Sequence, residues 1–329
     1  MVGNVEDLRL IRTDSGSLIA SWNFKDGCPE VRVSWGRSPI APEHDRVLVV
    51  DAHQASIELH DGVEGRTYVS VGAVDGRWTR NAGERLLPFS GPANFRDLGG
   101  YRTSTGQRTR WGIIFRSDAL RLQDDDLPEF ERLNIRTIWD LRSELEQLRY
   151  PNRPAALQPR CLAVPLLARP SDGGLDIEPG DDAERFLAQL YVGILDQSAL
   201  LLGQIFQGLA HPDSLPTVVH CAGGKDRTGL VSALLLALLG VRANDILDDY
   251  ELSSRLRPPR RAAALIRSLQ VDHQLSPALA AGLIGTSRWA MNYALSVVNE
   301  RFGGIESYLR ERAGVSELEI RALQTRLLE

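Results

Sequence analysis

The chain changes rhythm partway along. Between residues 5 and 88, apolar and polar positions alternate in short runs set apart by turn residues: SLIASWNF, EVRVSWG, RVLVVD, SIELHDG and TYVSVGAVDG. In EVRVSWG the two-residue period of a strand puts Val31, Val33 and Trp35 on one face and Arg32 and Ser34 on the other, a half-buried sheet. About seven such strands at close spacing predict a small all-β sandwich. The proline and glycine of LLPFSGPAN then punctuate the chain, so we expect the sandwich over residues 1–89 and a second domain over 90–329.

After residue 94 the pattern is different. Continuous apolar runs, GIIF (112–115), IRTIWDL (135–141) and TVVH (217–220), predict fully buried strands rather than half-buried ones. Helical stretches such as 184–209 separate them, and from residue 243 onward the chain is almost entirely helix-like. Strands interleaved with helices make this part α/β.

Composition narrows the classes. With 329 residues, 43% hydrophobic and 25% charged, the chain is ordinary for a globular protein. A formal net charge of -5 argues against a general nucleic-acid or membrane-surface binder, which needs a basic face. The longest apolar run, Leu230 to Leu239, is too short to span a bilayer, and MVGNVEDLRL lacks the charged-then-apolar pattern of a signal peptide, so a cytoplasmic location without integral membrane association is expected. Three scattered cysteines, Cys28, Cys161 and Cys221, predict neither a disulfide framework nor a metal site.

The chemistry concentrates in VHCAGGKDRTG, residues 219–229, between the buried strand TVV and the apolar run GLVSALLLALLG. A strand-to-helix loop aims successive backbone N–H groups and the positive end of the helix at one point, which binds an oxyanion. Ala222, Gly223, Gly224 and Lys225 form the curl, the two glycines being free to take positive φ. A thiol at the head of such a ring, Cys221, is favoured as thiolate, the nucleophilic form. Arg227 offers a planar fork that matches two phosphoryl oxygens, and Thr228 can donate its hydroxyl to the sulfur. A nucleotide-binding P-loop is excluded, because Val219 and Asp226 stand where that motif needs Gly and Ser/Thr. Lys225 stands out, since it and Lys25 are the only lysines among 38 strong bases.

With these residues the chain resembles the bacterial atypical tyrosine phosphatases of the Cys-x5-Arg superfamily, whose Lys-Asp-Arg variant is present in HCAGGKDRTG. NFRDLGG (94–100), FRSDAL (115–120), WDLRSELE (139–146) and the closing FGGIESYLRERAGVS look like further blocks of that family in family order. The resemblance implies a tyrosine-phosphatase-like parallel-core sheet wrapped by helices. It also implies cofactor-free, metal-free phosphocysteine chemistry on phosphorylated protein, most simply phosphotyrosine. A Gly-Lys pair in this loop also resembles lipid phosphatases in which the ammonium meets a second phosphate on an inositol ring, which extends the expected substrates to phosphoinositides. Separately, Trp22 in the second strand and Tyr68 within EGRTYVSVGAVDG resemble a fibronectin type III module, a fold suited to protein contact.

Several assignments stay open at this level. Ordinary tyrosine phosphatases carry their general acid in a Trp-Pro-Asp loop, and no such tripeptide occurs here. Asp226 is the first choice and Asp172, in VPLLARPSDGGLD, the second. His220 is expected to orient the loop rather than titrate in catalysis. Arg96, Asp97, Asp118, Asp140 and Arg142 fit equally a bracing role or a substrate contact. RLRPPRR, residues 255–261, reads as a solvated helix end or as a phosphate-rich docking patch. Two other function classes use such a loop: a phospho-ligand binding module without turnover, and an arsenate-reductase or sulfurtransferase-like enzyme, for which no resolving cysteine lies nearby.

Overall fold

The computed structural model describes residues 5–13, 15–24, 30–39, 45–59, 65–87, 89–152, 158–166 and 182–329. It divides into two compact units. The first comprises Met1–Pro88 together with Arg96–Gly100 and Arg110–Gly112, and the second Phe89–Phe95, Tyr101–Thr109 and Ile113–Glu329.

The first unit is built from β1 (Val5–Arg12), β2 (Leu18–Phe24), β3 (Glu30–Gly36), β4 (Arg46–Asp51), β5 (Ser56–Leu59), β6 (Tyr68–Ala73) and β7 (Thr79–Gly83). They form two antiparallel sheets, β1-β2-β5 and β4-β3-β6-β7. The alternation fills one core: Leu18, Ala20 and Trp22 of β2 meet Val31, Val33 and Trp35 of β3 and Val69 and Val71 of β6. Trp22 donates its indole N–H to the carbonyl of Ala52 at 3.0 Å. Ser34 departs from the expected alternation. It is buried although it faces away from Val33.

Two short segments beyond residue 89 also belong to this unit. β8 (Arg96–Asp97) bridges Leu86, and Trp111 joins the sandwich core beneath the guanidinium groups of Arg66 and Arg85. Asp97, fully buried, accepts from Arg66 Nη2 at 2.5 Å and from the amides of Gly99 and Gly112 at 2.7 Å each. A buried carboxylate needs such partners, and here they come from sequence-distant segments of one unit.

In the second unit β9 (Ile114–Ser117), β10 (Thr137–Asp140), β11 (Arg160–Ala163) and β12 (Thr217–His220) pair in parallel in the order β11-β10-β12-β9. β9, β10 and β12 are buried at every residue, which is why they read as unbroken apolar runs rather than alternating ones. Their helices are α1 (Leu127–Arg132), α2 (Glu144–Arg149), α3 (Ala183–Gln197), α4 (Ala199–Ala210), α5 (Asp226–Leu238), α6 (Ala243–Arg255), α7 (Pro259–Asp272), α8 (Pro277–Ile284), α9 (Arg288–Phe302), α10 (Ile305–Glu311) and α11 (Glu317–Leu327). α5 is apolar on all sides and buried from Thr228 through Leu236, as a helix surrounded by protein must be. The stretch 184–209 is two helices, not one: α3 ends at Ser198 and α4 sets off at 74° to it. None of the described helices is, singly, long and apolar enough to cross a membrane.

Candidate active site

The register of the parallel sheet places the site. His220, the last residue of β12, pairs with Asp140 at the end of β10 and with Ser117 at the end of β9, so three strand ends converge where the chain leaves the sheet. Ligands in open α/β sheets sit at such carboxyl ends. Cys221, only 2% exposed, comes next in the chain, and the loop closes five residues later as Asp226 begins α5.

The loop is held from outside. Gly224 has φ of +62°, and a Cβ there would sit 2.5 Å from the amide nitrogen of Asp118, so both its conformation and its neighbour require glycine. Gly223 does not need positive φ; a Cβ there would meet only Arg257 Nη2, at 3.6 Å. The carbonyl of Gly224 accepts from Asn94 Nδ2 at 3.0 Å and Arg116 Nη2 at 2.8 Å. Asn94 is delivered by an aromatic anchor, Phe89 and Phe95 packing edge-on at 4.8 Å with Phe115 of β9 beyond them. Arg116 is itself fully buried and paired with Asp249 of α6. The carbonyls of Gly224 and Ala222 are thus taken up by groups outside the loop, the second by the amide of Ala119 at 3.2 Å.

Arg227 is positioned by Glu146 of α2, which accepts from Nη1 at 2.7 Å and Nη2 at 2.8 Å, while the carbonyl of Leu141 takes a second Nη1 contact at 3.3 Å. A guanidinium has five N–H donors, so among the described residues Nε–H and one Nη2–H remain, side by side on the edge away from Glu146. That edge is a ready two-pronged site for a phosphoryl group. Burial alone would raise the Glu146 carboxyl, but the Arg227 fork and the Ser143 amide outweigh it and hold it at about 2. Glu146 therefore stays ionised. It also closes a capping box with Ser143, so α2 is stabilised by the residue that aims Arg227.

His220 is fully buried. Its Nε2 lies 3.1 Å from Asn152 Nδ2 and 3.6 Å from Asp140, and Nδ1 is 3.3 Å from the carbonyl of Cys221. Burial, helped by Arg142 and Arg227 and opposed by Asp140, lowers it to about 4, so the ring is neutral at physiological pH. Asp140 is locked onto Arg142 by contacts of 2.6 and 2.8 Å. Thr228 Oγ1, buried in the first turn of α5, has no hydrogen-bond partner among the described residues, an orphan hydroxyl of the kind that a ligand or a neighbouring sulfur satisfies.

Asp226 and Lys225 are tied to neighbouring elements. Asp226 accepts from Tyr191 Oη at 2.7 Å, Tyr191 contacts Tyr250 Oη at 2.6 Å, and Lys225 Nζ lies 3.2 Å from Asp226. Lys225 is buried and donates to the carbonyls of Leu283 and Gly285 at 2.6 and 2.7 Å. Its three N–H directions are thus taken by protein groups.

Beside the loop opens a cleft of about 400 Å³, lined among others by Ala222, Gly223, Asp118, Glu146, Arg257 and Arg261. Asp118 accepts from Arg261 Nη1 at 2.8 Å and from the amide of Asn94 at 3.1 Å, and burial pushes its carboxyl up despite them. At the rim Arg121 lies 4.3 Å over the ring of Tyr150.

The structure thus gathers Cys221, the loop residues Ala222–Thr228, His220 and Asp140 around one point. Asp97 makes its contacts inside the first unit, where Arg96 is also buried, and Asp172 lies outside the described residues. The sequence singles out neither Glu146 nor, within RLRPPRR, Arg257. Glu146 sat in a quoted block without a partner to reveal it, and Arg257 was one of several arginines in RLRPPRR.

The chain is similar to known phosphatases. A family model described as "Tyrosine phosphatase family" matches residues 87–329. The triple specificity protein phosphatase PtpB of Mycobacterium tuberculosis is 29% identical over 282 residues, covering 74% of this chain and 99% of its own. A tyrosine-protein phosphatase of Nostoc commune is 32% identical over 144 residues, covering 43% of this chain and 49% of its own. Among solved structures, the core catalytic domain of the PP-IP phosphatase Siw14 from S. cerevisiae matches with 20% identity and a TM-score of 0.31, over 52% of this chain and 80% of its own.

Proposed function

The chain belongs to the tyrosine phosphatase family, and from that premise we propose that it hydrolyses phosphomonoesters through a phosphocysteine on Cys221. The observation that carries the reading is the buried Cys221 at a strand-to-helix loop whose Arg227 is aimed by Glu146 with a two-pronged edge left over. In the first half-reaction the Cys221 thiolate forms an S–P bond as the P–O ester bond breaks, and the leaving oxygen takes a proton from a carboxylic acid. In the second, water attacks phosphorus and gives its proton to that carboxylate. The S–P bond breaks, and thiolate and inorganic phosphate are released. The loop amides and Arg227 hold the equatorial oxygens throughout, where charge shifts most. Thr228 supplies a hydroxyl to the sulfur as it leaves, and Asp226 carries the proton.

Phosphotyrosine is the substrate class that fits the family, with phosphoserine, phosphothreonine and phosphoinositides as further monoesters open to the same chemistry. The fibronectin type III-like reading of the first unit makes it a protein-contact module. Replacing Cys221 by Ser should abolish turnover of phosphotyrosine peptide and of p-nitrophenyl phosphate while phosphate binding persists, because the amides and Arg227 remain. Residual activity within tenfold of wild type would remove the phosphocysteine. Absence of wild-type turnover on every phosphoester would leave only a binding module.

A further inference from the structure

Five arginines stand at the loop and its cleft, and they are not equivalent; Arg121, at the rim, lies over the ring of Tyr150. Arg142 is paired with Asp140, Arg227 with Glu146 and Arg261 with Asp118. Arg257 has no carboxylate within ion-pair distance among the described residues. Its one hydrogen bond there runs from Nη1 to the carbonyl of Ile284. It is nevertheless half-buried in the cleft, with Nη2 3.6 Å from the place a Cβ would occupy on Gly223. A partly desolvated guanidinium with an open edge beside an oxyanion loop is an unfinished ion pair. Burial lowers its pKa against the pull of Asp226, Asp118 and Cys221, the direction expected of a cation short of a partner.

We infer that Arg257 receives a second anionic group of the substrate, one ring position away from the phosphate under attack, and that Lys225 does not. This rests on the phosphatase reading and names its specificity residue. Lys225 is excluded by its own bonds, since two carbonyls and Asp226 take its donors. Arg257 enters from the link between α6 and α7, outside the loop, so its Nη2 approaches Gly223 from the cleft side. The loop amides and Arg227 already account for the three equatorial oxygens of one phosphoryl group. The closeness of Arg257 to Gly223 sets a short span, which suits phosphates on neighbouring carbons of a six-membered polyol. Phosphorylated residues along an extended peptide are about 3.3 Å apart per step and point alternately to opposite sides. A cleft of about 400 Å³ accepts such a ring. A free polyol phosphate and a lipid headgroup share this chemistry.

The test measures binding by calorimetry to the full-length Cys221→Ser protein, with soluble inositol bisphosphate (phosphates on neighbouring carbons) and inositol monophosphate as probes. The bisphosphate should bind more tightly, and adding Arg257→Ala should shrink that preference by about tenfold to a hundredfold, the worth of a charged hydrogen-bonded contact. Arg257→Lys should restore part of it, whereas Lys225→Met should leave the ratio in place. Equal loss of both ligands on Arg257→Ala would mean that Arg257 holds the scissile phosphate itself. An unchanged preference would mean that it binds neither. Either result overturns the inference, as would dependence on Arg257 seen only with a doubly phosphorylated peptide. Vesicles carrying the matching phosphoinositide separate the sources: binding to them at least as tight as to the soluble headgroup points to a lipid, weaker binding to the free polyol phosphate. Turnover of p-nitrophenyl phosphate by the wild-type protein, measured alongside, reports on the phosphatase reading independently, because the binding ratios need no catalysis.

Discussion

Removing Glu146 tests whether the aim of Arg227, rather than its mere presence, makes the site. In Glu146→Ala the bidentate contacts of 2.7 and 2.8 Å disappear, leaving among the described residues only the Leu141 carbonyl, at 3.3 Å, to hold Nη1. The fall of the Glu146 pKa from 4.5 to about 2 corresponds to about 3 kcal/mol before screening. Since 32% of the side chain is exposed, we take about 1–2 kcal/mol as its share of stability. A guanidinium displaced by about 1 Å from its productive place typically lowers the rate about a hundredfold. The expected result is therefore a drop in kcat/KM of about ten- to a hundredfold on p-nitrophenyl phosphate, with weaker binding of inorganic phosphate and a modest loss of Tm. Glu146→Gln keeps an acceptor for Ser143 and for one Arg227 nitrogen, and should fall between. The reasoning fails if Glu146→Ala loses stability but keeps kcat/KM within threefold of wild type, for then Arg227 finds its position without the carboxylate.

Asp226→Asn should slow hydrolysis of alkyl phosphates more than that of aryl phosphates with good leaving groups, since only poor leaving groups need the proton. Equal loss on both moves the role to Asp118, which lines the cleft. Lys225→Met should lower Tm and reduce activity on mono- and multiply phosphorylated substrates together, because two buried carbonyls and Asp226 lose their donor at about 2–4 kcal/mol; a selective loss on the multiply phosphorylated substrate would return the lysine to the binding site. Acid should act in two windows. His220, lowered from 6.5 to about 4, leaves the unfolded chain binding the extra proton, so stability declines as pH falls from about 6.5 to 4. Glu146, also lowered, contributes stability above about 4.5 that is lost as pH falls towards 2. Urea midpoints against pH should show the upper window flatten in His220→Asn and the lower one in Glu146→Gln; identical profiles in all three proteins would sink both assignments.

What could be read from the sequence follows the range over which each interaction acts. β12, the loop and α5 are one continuous segment, so TVVHCAGGKDRTGLVSALLLALLG displays strand, curl and buried helix in order, and Cys221 and Arg227 could be named from it. The sandwich strands were legible for the same reason: a period of two is a local signal. Ser198 was not, because a break between two apolar helices depends on what each packs against. Positive φ at Gly224 and not at Gly223 was equally hidden, since it is set by the backbone of Ser117 and Asp118, more than 100 residues away in sequence.

The partners of the loop show the limit most clearly, and they also explain its odd composition. A chain that writes nearly all its positive charge as arginine uses forks wherever a cation must hold a carbonyl or carboxylate in two directions: Arg116 on Gly224 and Asp249, Arg142 on Asp140, Arg227 on Glu146. Lys225 sits where three acceptors, the carbonyls of Leu283 and Gly285 and the Asp226 carboxylate, surround one small buried site. A planar guanidinium matches two acceptors in its plane, whereas an ammonium matches three around an axis. The lysine is therefore explained by the shape of its cage, and that cage is made by α8 and α5 together, which no local pattern announces. Arg257 is the complement: a fork with one acceptor among the described residues and an edge left over there. Read from sequence, the lysine looks like the residue reserved for a ligand. The bonds around the two side chains reverse the roles, making Lys225 part of the frame and Arg257 the cation still open to an incoming anion.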